Sequence, residues 1–238
     1  MLELKGVSKA FGAIVVAERI DLALSSGEAL GVIGPNGAGK STLFNLITGM
    51  LRPDSGRVIL DGRDITDLAP EDRCRAGIGR SFQIPLPFDH LSVFENLSVA
   101  ALFGGGMGQA EAVQHCGRTL ELTGLEAKAN RPAGSLPLLD RKRLELARAL
   151  ATRPRTLLLD EIGGGLTNAE ASELVDTILE LKRRHIGIVW IEHIVHILLQ
   201  VAQRLICMDA GKIIADGAPA AVMADPEVVR AYLGGAPT

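Results

Sequence analysis

The nine residues from Gly34 to Thr42 constrain the fold of this chain more than any other segment. They read Gly-Pro-Asn-Gly-Ala-Gly-Lys-Ser-Thr, which fits the spacing G-x-x-x-x-G-K-[ST]. The apolar run Ala29–Ile33 predicts a buried strand before them, and Lys40–Thr48 predicts a helix after them. Such a strand-to-helix turn directs backbone N–H groups inward and adds the positive end of a helix dipole. The segment therefore predicts a site for the phosphates of a nucleotide.

Three side chains of this loop have distinct expected roles. Lys40 is expected to reach the β- and γ-phosphates, and Ser41 to hold Mg²⁺. Thr42 adds a hydroxyl directed at the α-phosphate. A glycine-rich turn with a solvated lysine is the structural alternative, which the complete motif in its strand-to-helix context argues against.

A second apolar run, Thr156-Leu-Leu-Leu-Asp160-Glu161, ends in two acids. A buried strand here would bring Asp160 to the sheet edge beside the phosphate loop, where it can orient the Mg²⁺ shell. Glu161 would then be placed to polarise an attacking water. Taken alone, such a strand end is usually just solvated, but with the loop it indicates an ATP or GTP hydrolase or a kinase. The chain has no guanine-reading Asn-Lys-x-Asp segment, which favours adenine.

The order of elements predicts an α/β fold with a mostly parallel core sheet. Short apolar runs alternate with longer helical patterns, and Leu2–Val7 and Ile14–Leu24 predict an N-terminal antiparallel β piece. Helical patterns fill the stretch between Ser81 and Pro154, and the strands on either side of it belong to one sheet. We therefore expect a single domain over residues 1–238, with a helical subdomain inserted at about residues 84–153.

Composition excludes several other classes of protein. The net charge of −3 and the 3% of aromatic residues argue against a protein that coats nucleic acid. Cys74, Cys116 and Cys207 are odd in number and far apart, which excludes a disulfide framework and fits a reducing compartment. No uninterrupted apolar stretch is long enough to span a bilayer, so we expect any contact with a membrane to go through a partner.

The order of the motifs resembles the ATP-binding subunit of an ATP-binding cassette (ABC) transporter, a P-loop NTPase, over essentially the whole chain. Arg80-Ser-Phe-Gln83 resembles the family's Q-loop, whose glutamine reaches Mg²⁺ and the attacking water. His193, at the end of the predicted strand Gly187–Glu192, resembles the switch histidine that contacts the γ-phosphate. Phe11 occupies the place of the adenine-stacking aromatic, with a core or turn aromatic as the alternative.

The loop and the resemblance together imply ATP and Mg²⁺ as cofactors and a defined set of site residues. The nucleotide-binding residues are Phe11, Gly34, Pro35, Asn36, Gly37, Ala38, Gly39, Lys40, Ser41 and Thr42. The implied catalytic residues are Glu161, His193 and Gln83. The implied Mg²⁺ ligands are Ser41, Gln83 and Asp160.

Finer features are similar to the ATPases of branched-chain amino acid importers. They include Phe94–Leu97 and the closing Arg230–Gly234, although lipopolysaccharide-export ATPases share much of the pattern. The resemblance implies ATP hydrolysis that powers solute import, by a cytoplasmic subunit on the inner face of the cell membrane. Its implied partners are transmembrane permease subunits, a second ABC ATPase subunit and, indirectly, a periplasmic or extracellular binding protein, with no nucleic acid. A non-transport ABC ATPase, a lipid or lipopolysaccharide exporter and a phosphate-loop kinase remain alternatives.

The apolar segment Ile84–Phe88, just after Gln83, is stiffened by proline. If it is exposed, it would form a docking groove for a membrane subunit. A buried loop is the alternative.

The chain departs from this family where the signature Leu-Ser-Gly-Gly-Gln should stand. Leu136-Pro-Leu-Leu-Asp140 replaces it, and Pro137 offers neither a hydroxyl nor an N–H to the ATP of an opposite subunit. Leu139 places a bulky side chain where backbone should approach phosphate. Asp140 is expected to bring negative charge toward the triphosphate, with Arg141–Arg143 offsetting it.

The loop after Glu161 departs as well. Ile162 replaces the usual proline, and Gly163–Thr167 ends without the usual aspartate, so we expect a flexible loop. A homodimer would pair two good phosphate loops with two poor signatures, whereas a heterodimer needs an intact signature only from its partner. We therefore expect an asymmetric heterodimer.

Overall fold

The computed structural model describes residues 1–233 and contains two β-sheets. The strands are β1 Leu2–Phe11, β2 Ile14–Leu24, β3 Ala29–Ile33, β4 Ser55–Leu60, β5 Arg63–Asp64, β6 Ile78–Arg80, β7 Thr156–Asp160, β8 Gly187–Ile191, β9 Arg204–Asp209 and β10 Lys212–Gly217. The helices are α1 Lys40–Thr48, α2 Pro70–Arg75, α3 Val93–Val99, α4 Gln109–Leu122, α5 Leu138–Ala151, α6 Asn168–Arg183, α7 Val195–Val201, α8 Pro219–Ala224 and α9 Pro226–Leu233.

The larger sheet has six strands in the order β10-β9-β3-β8-β7-β6. All neighbouring pairs are parallel except β10 with β9, so the predicted mostly parallel core is confirmed. The central strands β3, β7 and β8 are buried at every position, which explains their continuous apolar runs. Because their carboxyl ends meet at one edge, the phosphate loop, the acids after β7 and the histidine after β8 emerge side by side.

The smaller sheet is the predicted N-terminal antiparallel piece. Its order is β2-β1-β4-β5, and β1 pairs with both β2 and β4 in antiparallel register. One hydrophobic cluster joins apolar residues of this sheet, of α1 and of the core sheet. The helix that follows the phosphate loop is thus held between two sheets.

The chain between β6 and β7 is helical and has its own hydrophobic cluster. That cluster draws on α3, α4 and α5 and runs from Val93 to Ala151. Strands β6 and β7 nevertheless pair directly, with Ile78 opposite Thr156. The helices are therefore an insertion between two neighbouring strands of one sheet.

Two helix starts differ slightly from the sequence-based expectation. The sequence predicts Asn168 as the cap of α6, but Thr167 caps it, and the Thr167 hydroxyl accepts the Glu170 N–H in a capping box. The sequence predicts a helix over Asp140–Ala151, but α5 begins at Leu138, with Pro137 as its N-cap. The segment Ser92-Val-Phe-Glu95 predicts a capping box that opens a helix, and the structure confirms it at the start of α3.

Residues 1–233 contain no helix long and apolar enough to cross a membrane. The motif Arg230–Gly234 falls within α9 up to Leu233, and Gly234 lies outside the described residues.

Candidate active site

The phosphate loop follows β3 and can be built only with glycine at two of its positions. Gly34 has φ 148°, and a Cβ there would lie 2.2 Å from the Met208 carbonyl oxygen. Gly39 has φ 101°, and a Cβ there would lie 2.7 Å from the Val16 carbonyl oxygen. The loop is therefore pressed against β9 and β2, which explains the glycine spacing in local terms.

A polar cavity of about 300 Å³ opens over this loop. The N–H groups in the first turn of α1 have no acceptor within the helix, and so they are available to an anion. The cavity is lined by Val16, Asn36, Gly37, Ala38, Gly39, Lys40, Ser41, Thr42 and Glu161. The loop residues from Asn36 to Thr42 and one predicted catalytic residue, Glu161, therefore line the same cavity.

Lys40 lies at the base of this cavity and is largely buried. Its Nζ donates to the carbonyl oxygens of Gly34 at 2.7 Å and Pro35 at 2.9 Å. Burial lowers the pKa of Lys40, and the carboxylates of Glu161 and Asp160 oppose that effect. A bound phosphate would give the Lys40 ammonium a fully charged partner in place of these two neutral carbonyl oxygens.

Glu161 is the centre of a three-residue cluster at the edge of the cavity. Gln83 Nε2 lies 2.5 Å from one of its carboxylate oxygens, and His193 Nε2 lies 2.8 Å from the other. The backbone of Glu161 has φ 46°, a left-handed conformation that costs a non-glycine residue about 1–3 kcal/mol. The structure brings all three predicted catalytic residues into contact, and it holds the central one in a strained conformation.

Asp160 precedes Glu161 and is buried at the end of β7. Arg80 Nη2 donates to its carboxylate at 2.8 Å, while Arg80 Nη1 donates to Asn45 Oδ1 at 2.7 Å. The same guanidinium lies over the rings of Phe44 and Phe82. It therefore links Asp160 to α1 and to the Gln83 loop.

The side chains expected around Mg²⁺ offer the oxygen atoms that this ion prefers. Ser41 supplies a hydroxyl, Gln83 an amide oxygen and Asp160 a carboxylate. Among residues 1–233 no group of three His, Cys, Asp or Glu side chains could hold a metal by itself. Mg²⁺ usually binds through one or two side chains, waters and substrate phosphates, so this donor set fits it.

The segment after Gln83 is exposed. Ile84, Leu86 and Phe88 are 69%, 76% and 47% exposed, so the alternative of a buried loop is wrong. Arg148 Nη1 donates to the Leu86 carbonyl at 2.9 Å and its guanidinium lies over the Phe88 ring. Beside the loop is a mainly apolar cavity of about 260 Å³, lined by Thr48, Met50, Pro70, Cys74, Ile78, Gly79, Arg80, Phe82, Ala100, Glu145, Arg148, Ala149 and Thr152.

The start of α5 differs from what the sequence suggested for Asp140. The Asp140 carboxylate is buried, 2.5 Å from Lys128 Nζ and 3.7 Å from Arg143 Nη1. The expectation that Asp140 brings charge toward a triphosphate is therefore wrong, because a buried carboxylate turns toward its cationic partners. Pro137 is the N-cap and makes no side-chain capping bond, and Leu138 is exposed.

Two of the three basic residues expected to offset Asp140 are directed elsewhere. Arg141 donates to the carbonyls of Gly134 and Leu136, so it closes the turn before the helix. Lys142 is buried and donates to the Gln83 carbonyl. Arg141 and Lys142 therefore do not offset the charge of Asp140, whereas Arg143 Nη1 lies 3.7 Å from that carboxylate, as expected.

The loop from Ile162 to Thr167 is tied to its surroundings. Ile162 is buried, and the Gly163 N–H donates to Glu192 Oε2 at 3.1 Å. Glu192 also accepts from Trp190 Nε1, and burial raises its pKa. These contacts link the loop after Glu161 to the strand end that carries His193.

Phe11 lies apart from this cluster at the end of β1. Its ring is half exposed, and Lys9 Nζ lies 5.5 Å from the ring centre. Because Phe11 is exposed, the alternative of a core aromatic is wrong, whereas a turn aromatic and a role in adenine stacking both stay predictions.

Two residues of the site escaped the sequence-based reasoning. Arg80 was expected only as part of the Q-loop motif, and Lys142 only as one of three cations that offset the charge of Asp140. A cation at the end of a strand predicted to be buried, next to a strand ending in acids, would have indicated Arg80. No local signal distinguishes Lys142 from its neighbours Arg141 and Arg143.

Comparison with known proteins places this geometry in a family. A family model described as ABC transporter matches residues 17–163, and one described as branched-chain amino acid ATP-binding cassette transporter matches residues 212–237. The high-affinity branched-chain amino acid transport ATP-binding protein LivG of Escherichia coli (strain K12) is 36% identical, over 98% of this chain and 98% of its own. The lipopolysaccharide export system ATP-binding protein LptB of Haemophilus influenzae is 33% identical, over 98% of this chain and 97% of its own.

Solved structures give the same result for the fold. A nucleotide-free ATP-binding cassette from an ABC transporter superposes with a TM-score of 0.90 at 33% identity, covering 98% of this chain and 99% of that one. The ADP conformation of an ATP-binding cassette of an ABC transporter also gives 0.90 at 33% identity, covering 98% of each chain.

Proposed function

Because this chain belongs to the ABC transporter family of ATP-binding proteins and is an ATPase, we propose that it powers import of branched-chain or related amino acids. The carrying observation is the cluster in which Gln83 and His193 contact Glu161 beside the phosphate loop. Full-length similarity to LivG and the match of residues 212–237 support the amino acid substrate. The similarity to LptB makes lipopolysaccharide export the second candidate.

The residues of the site divide the work of hydrolysis. Phosphates of ATP bind the N–H groups from Gly34 to Thr42, and Lys40 leaves its carbonyl partners to bind them. Glu161 accepts the proton of the attacking water while His193 and Gln83 hold its carboxylate in place. Phe11 provides a face for the adenine ring.

Mg²⁺ would bind Ser41, Gln83 and Asp160 together with phosphate oxygens. It would supply charge stabilisation for the transferred phosphoryl group. Arg80 Nη2 donates to the Asp160 carboxylate at 2.8 Å and so holds it in position at the end of β7.

The exposed segment Ile84–Phe88 and the adjacent 260 Å³ cavity are suited to a transmembrane permease subunit. Both adjoin Gln83, so movement of a docked helix would reach the catalytic cluster through a few residues. The chain would therefore work in the cytoplasm, on the inner face of the membrane. The periplasmic or extracellular binding protein would act on the permease and not on this chain.

The start of α5 supports an asymmetric pair of ATPase subunits. Pro137 gives no capping hydroxyl, and Leu138 covers part of the Gly163–Gly165 loop, lying 3.2 Å from the position of a Cβ on Gly165. A partner with a complete signature would close over this chain's phosphate loop. This chain would contribute little to the partner's nucleotide site.

We treat residues 1–238 as one ATPase domain with a helical subdomain at about 84–153. The separate hydrophobic cluster of α3, α4 and α5 and the direct pairing of β6 with β7 support that division.

Deletion of the gene followed by uptake measurements tests this proposal. Cells lacking the chain should lose uptake of labelled leucine and regain it with the wild-type chain but not with Glu161→Gln. Unchanged leucine uptake together with loss of lipopolysaccharide at the cell surface would instead establish the second candidate. Failure of the purified chain to bind Mg²⁺–ATP would refute both.

A further inference from the structure

Lys142 is a buried cation directly beneath the catalytic cluster. It lies on the second turn of α5 and is 4% exposed. Its Nζ donates to the Gln83 carbonyl oxygen at 2.7 Å and, more weakly, to the Glu161 carbonyl oxygen at 3.4 Å. One ammonium thus joins the helical insert, the Gln83 loop and the end of β7.

The two carbonyls belong to residues whose side chains also meet. Gln83 Nε2 contacts Glu161 Oε2 at 2.5 Å. The Lys142 ammonium connects the same two residues through their backbone carbonyls. This double link fixes the distance between the two chain segments as well as the direction of their side chains.

Glu161 has a backbone conformation that depends on such contacts. Its left-handed backbone is retained only if neighbouring contacts hold it. Its N–H donates to the Ile191 carbonyl at 2.9 Å, and its carbonyl accepts from Gly164 N–H at 3.3 Å and from Lys142. Removal of the ammonium would take away one of these three restraints.

The cation is not the partner of any one acid. Within residues 1–233 no carboxylate lies within ion-pair distance of Lys142 Nζ, whereas Glu192, Glu161, Glu145 and Asp160 surround it at longer range. Burial lowers the pKa of Lys142, and these four carboxylates oppose that effect. Its directional bonds go to backbone, as expected of a group that fixes chain position.

We propose that Lys142 is a positioning residue for ATP hydrolysis, which ties the Gln83 loop and the Glu161 backbone to α5 so that both side chains face the attacking water. The inference rests on the proposed function of the site. It gives the residue after the degenerate signature a role within its own subunit, independent of any contact with a partner's ATP.

The expected consequence is a loss of turnover without a loss of nucleotide binding. Lys142 touches no residue of the phosphate loop, so the dissociation constant for Mg²⁺–ATP should stay within about twofold. A displacement of about 1 Å of a positioned group can cost about 100-fold in rate, so turnover should fall by about 10- to 100-fold.

The experiment compares Lys142→Met, Lys142→Arg and Lys182→Met in the full chain. Met removes the donors and keeps the length, and Arg restores a cation with donors. Lys182 is the matched control, because its Nζ donates to the Val201 carbonyl at 3.3 Å on α6, away from the cluster. Measurements are Mg²⁺–ATP binding by calorimetry, steady-state turnover and amide hydrogen exchange.

Support would be a fall in turnover for Lys142→Met, with binding retained, substantial recovery in Lys142→Arg and no change in Lys182→Met. Amide exchange in Phe82–Phe88 should rise at least about tenfold in Lys142→Met alone, because a local tether has been lost. Lys142→Met should lower turnover much less in a chain that already carries Gln83→Ala than in the wild-type chain, since both substitutions act on one contact.

Wild-type turnover and exchange in Lys142→Met would overturn the inference, as would additive losses with Gln83→Ala. The exchange measurement needs no hydrolysis, so it decides the role of Lys142 even if the chain fails to bind ATP. Failure of wild-type binding would refute the proposed function instead. If Lys142→Met does not fold, Lys142→Arg decides instead. Normal turnover in Lys142→Arg, together with amide exchange in Phe82–Phe88 as fast as in an unfolded chain, would show that turnover does not need this segment to be held, and would overturn the inference.

Discussion

Two helix starts in this molecule, those of α1 and α5, occupy comparable positions and have opposite character. Helix α1 begins after glycines with φ of 82° and 101°, and its first turn opens into a polar cavity. Helix α5 begins after Pro137, and the acid of its first turn is buried against Lys128. A helix N-terminus alone therefore does not make an anion site, since the residues before it decide whether backbone N–H groups reach a ligand.

The largest expected effect is a loss of turnover at the nucleotide site in front of α1. Glu161→Gln keeps the shape of the side chain but cannot accept a proton, so turnover should fall by about 10²- to 10⁴-fold. Mg²⁺–ATP binding should persist, because the loop at Gly34–Thr42 is untouched. The rate of phosphate release under saturating ATP measures this, with Asp176→Asn on α6 as an exposed control. Full activity in Glu161→Gln would remove the residue from the mechanism.

The second prediction concerns substitutions that make the start of α5 more like the start of α1. Replacement of Pro137 by Ser and Leu139 by Gly restores a capping hydroxyl and a backbone N–H that can approach phosphate. Hydrolysis by the chain alone should rise about tenfold, the equivalent of one charge-assisted hydrogen bond of ~1.4 kcal/mol. The single change Leu138→Ala serves as the control for an altered helix start. No gain in the double variant would mean that the α5 end does not limit hydrolysis.

The third prediction concerns the far end of α1. Arg73 is 1% exposed and its Nη1 donates to the carbonyls of Leu46 and Ile47 at 2.7 and 2.9 Å. Arg73→Met leaves these last-turn carbonyls without partners, so the free energy of unfolding should fall by about 3 kcal/mol. For a chain of this size Tm should fall by about 6–12 °C in a thermal scan.

Arg75→Met is the matched control for that change. Arg75 is exposed, and among residues 1–233 its ion-pair partner is Asp72, at 3.1 Å, so its loss should leave Tm almost unchanged. Equal effects of the two substitutions would show that Arg73 does not support α1.

The smallest expected effect is at the start of α5. Asp140→Asn keeps the shape but weakens the attraction to Lys128 and Arg143, so we expect a loss of about 1–2 kcal/mol in unfolding free energy. Binding of Mg²⁺–ATP should not change, since Asp140 does not face the cavity. Urea unfolding measures the first quantity and calorimetry the second. Stronger ATP binding in this variant would place Asp140 near the nucleotide after all.

Local pattern was enough to predict most of the elements. The run Ala29–Ile33, the motif that follows it and the stop at Gly49 are contiguous, so the strand, loop and α1 could be located from neighbours alone. The capping box at Ser92 is likewise a contact within one turn. Helix α2 is short, carries no strong periodicity and was not predicted. A strand before Ser81 was expected without bounds, and β6 is that strand.

What the sequence determined by itself is the loop that binds phosphate, because the spacing along Gly34–Thr42 fixes which atoms point together within one turn. Gln83, Glu161 and His193 are far apart along the chain and meet only in the fold. Only the tertiary structure decided which charges face that site. Asp140 and Lys142 stand two residues apart, yet one turns to Lys128 and the other to the Gln83 carbonyl. A buried charge is costly unless it is paired or hydrogen-bonded, and the partners of these two residues come from other segments of the chain.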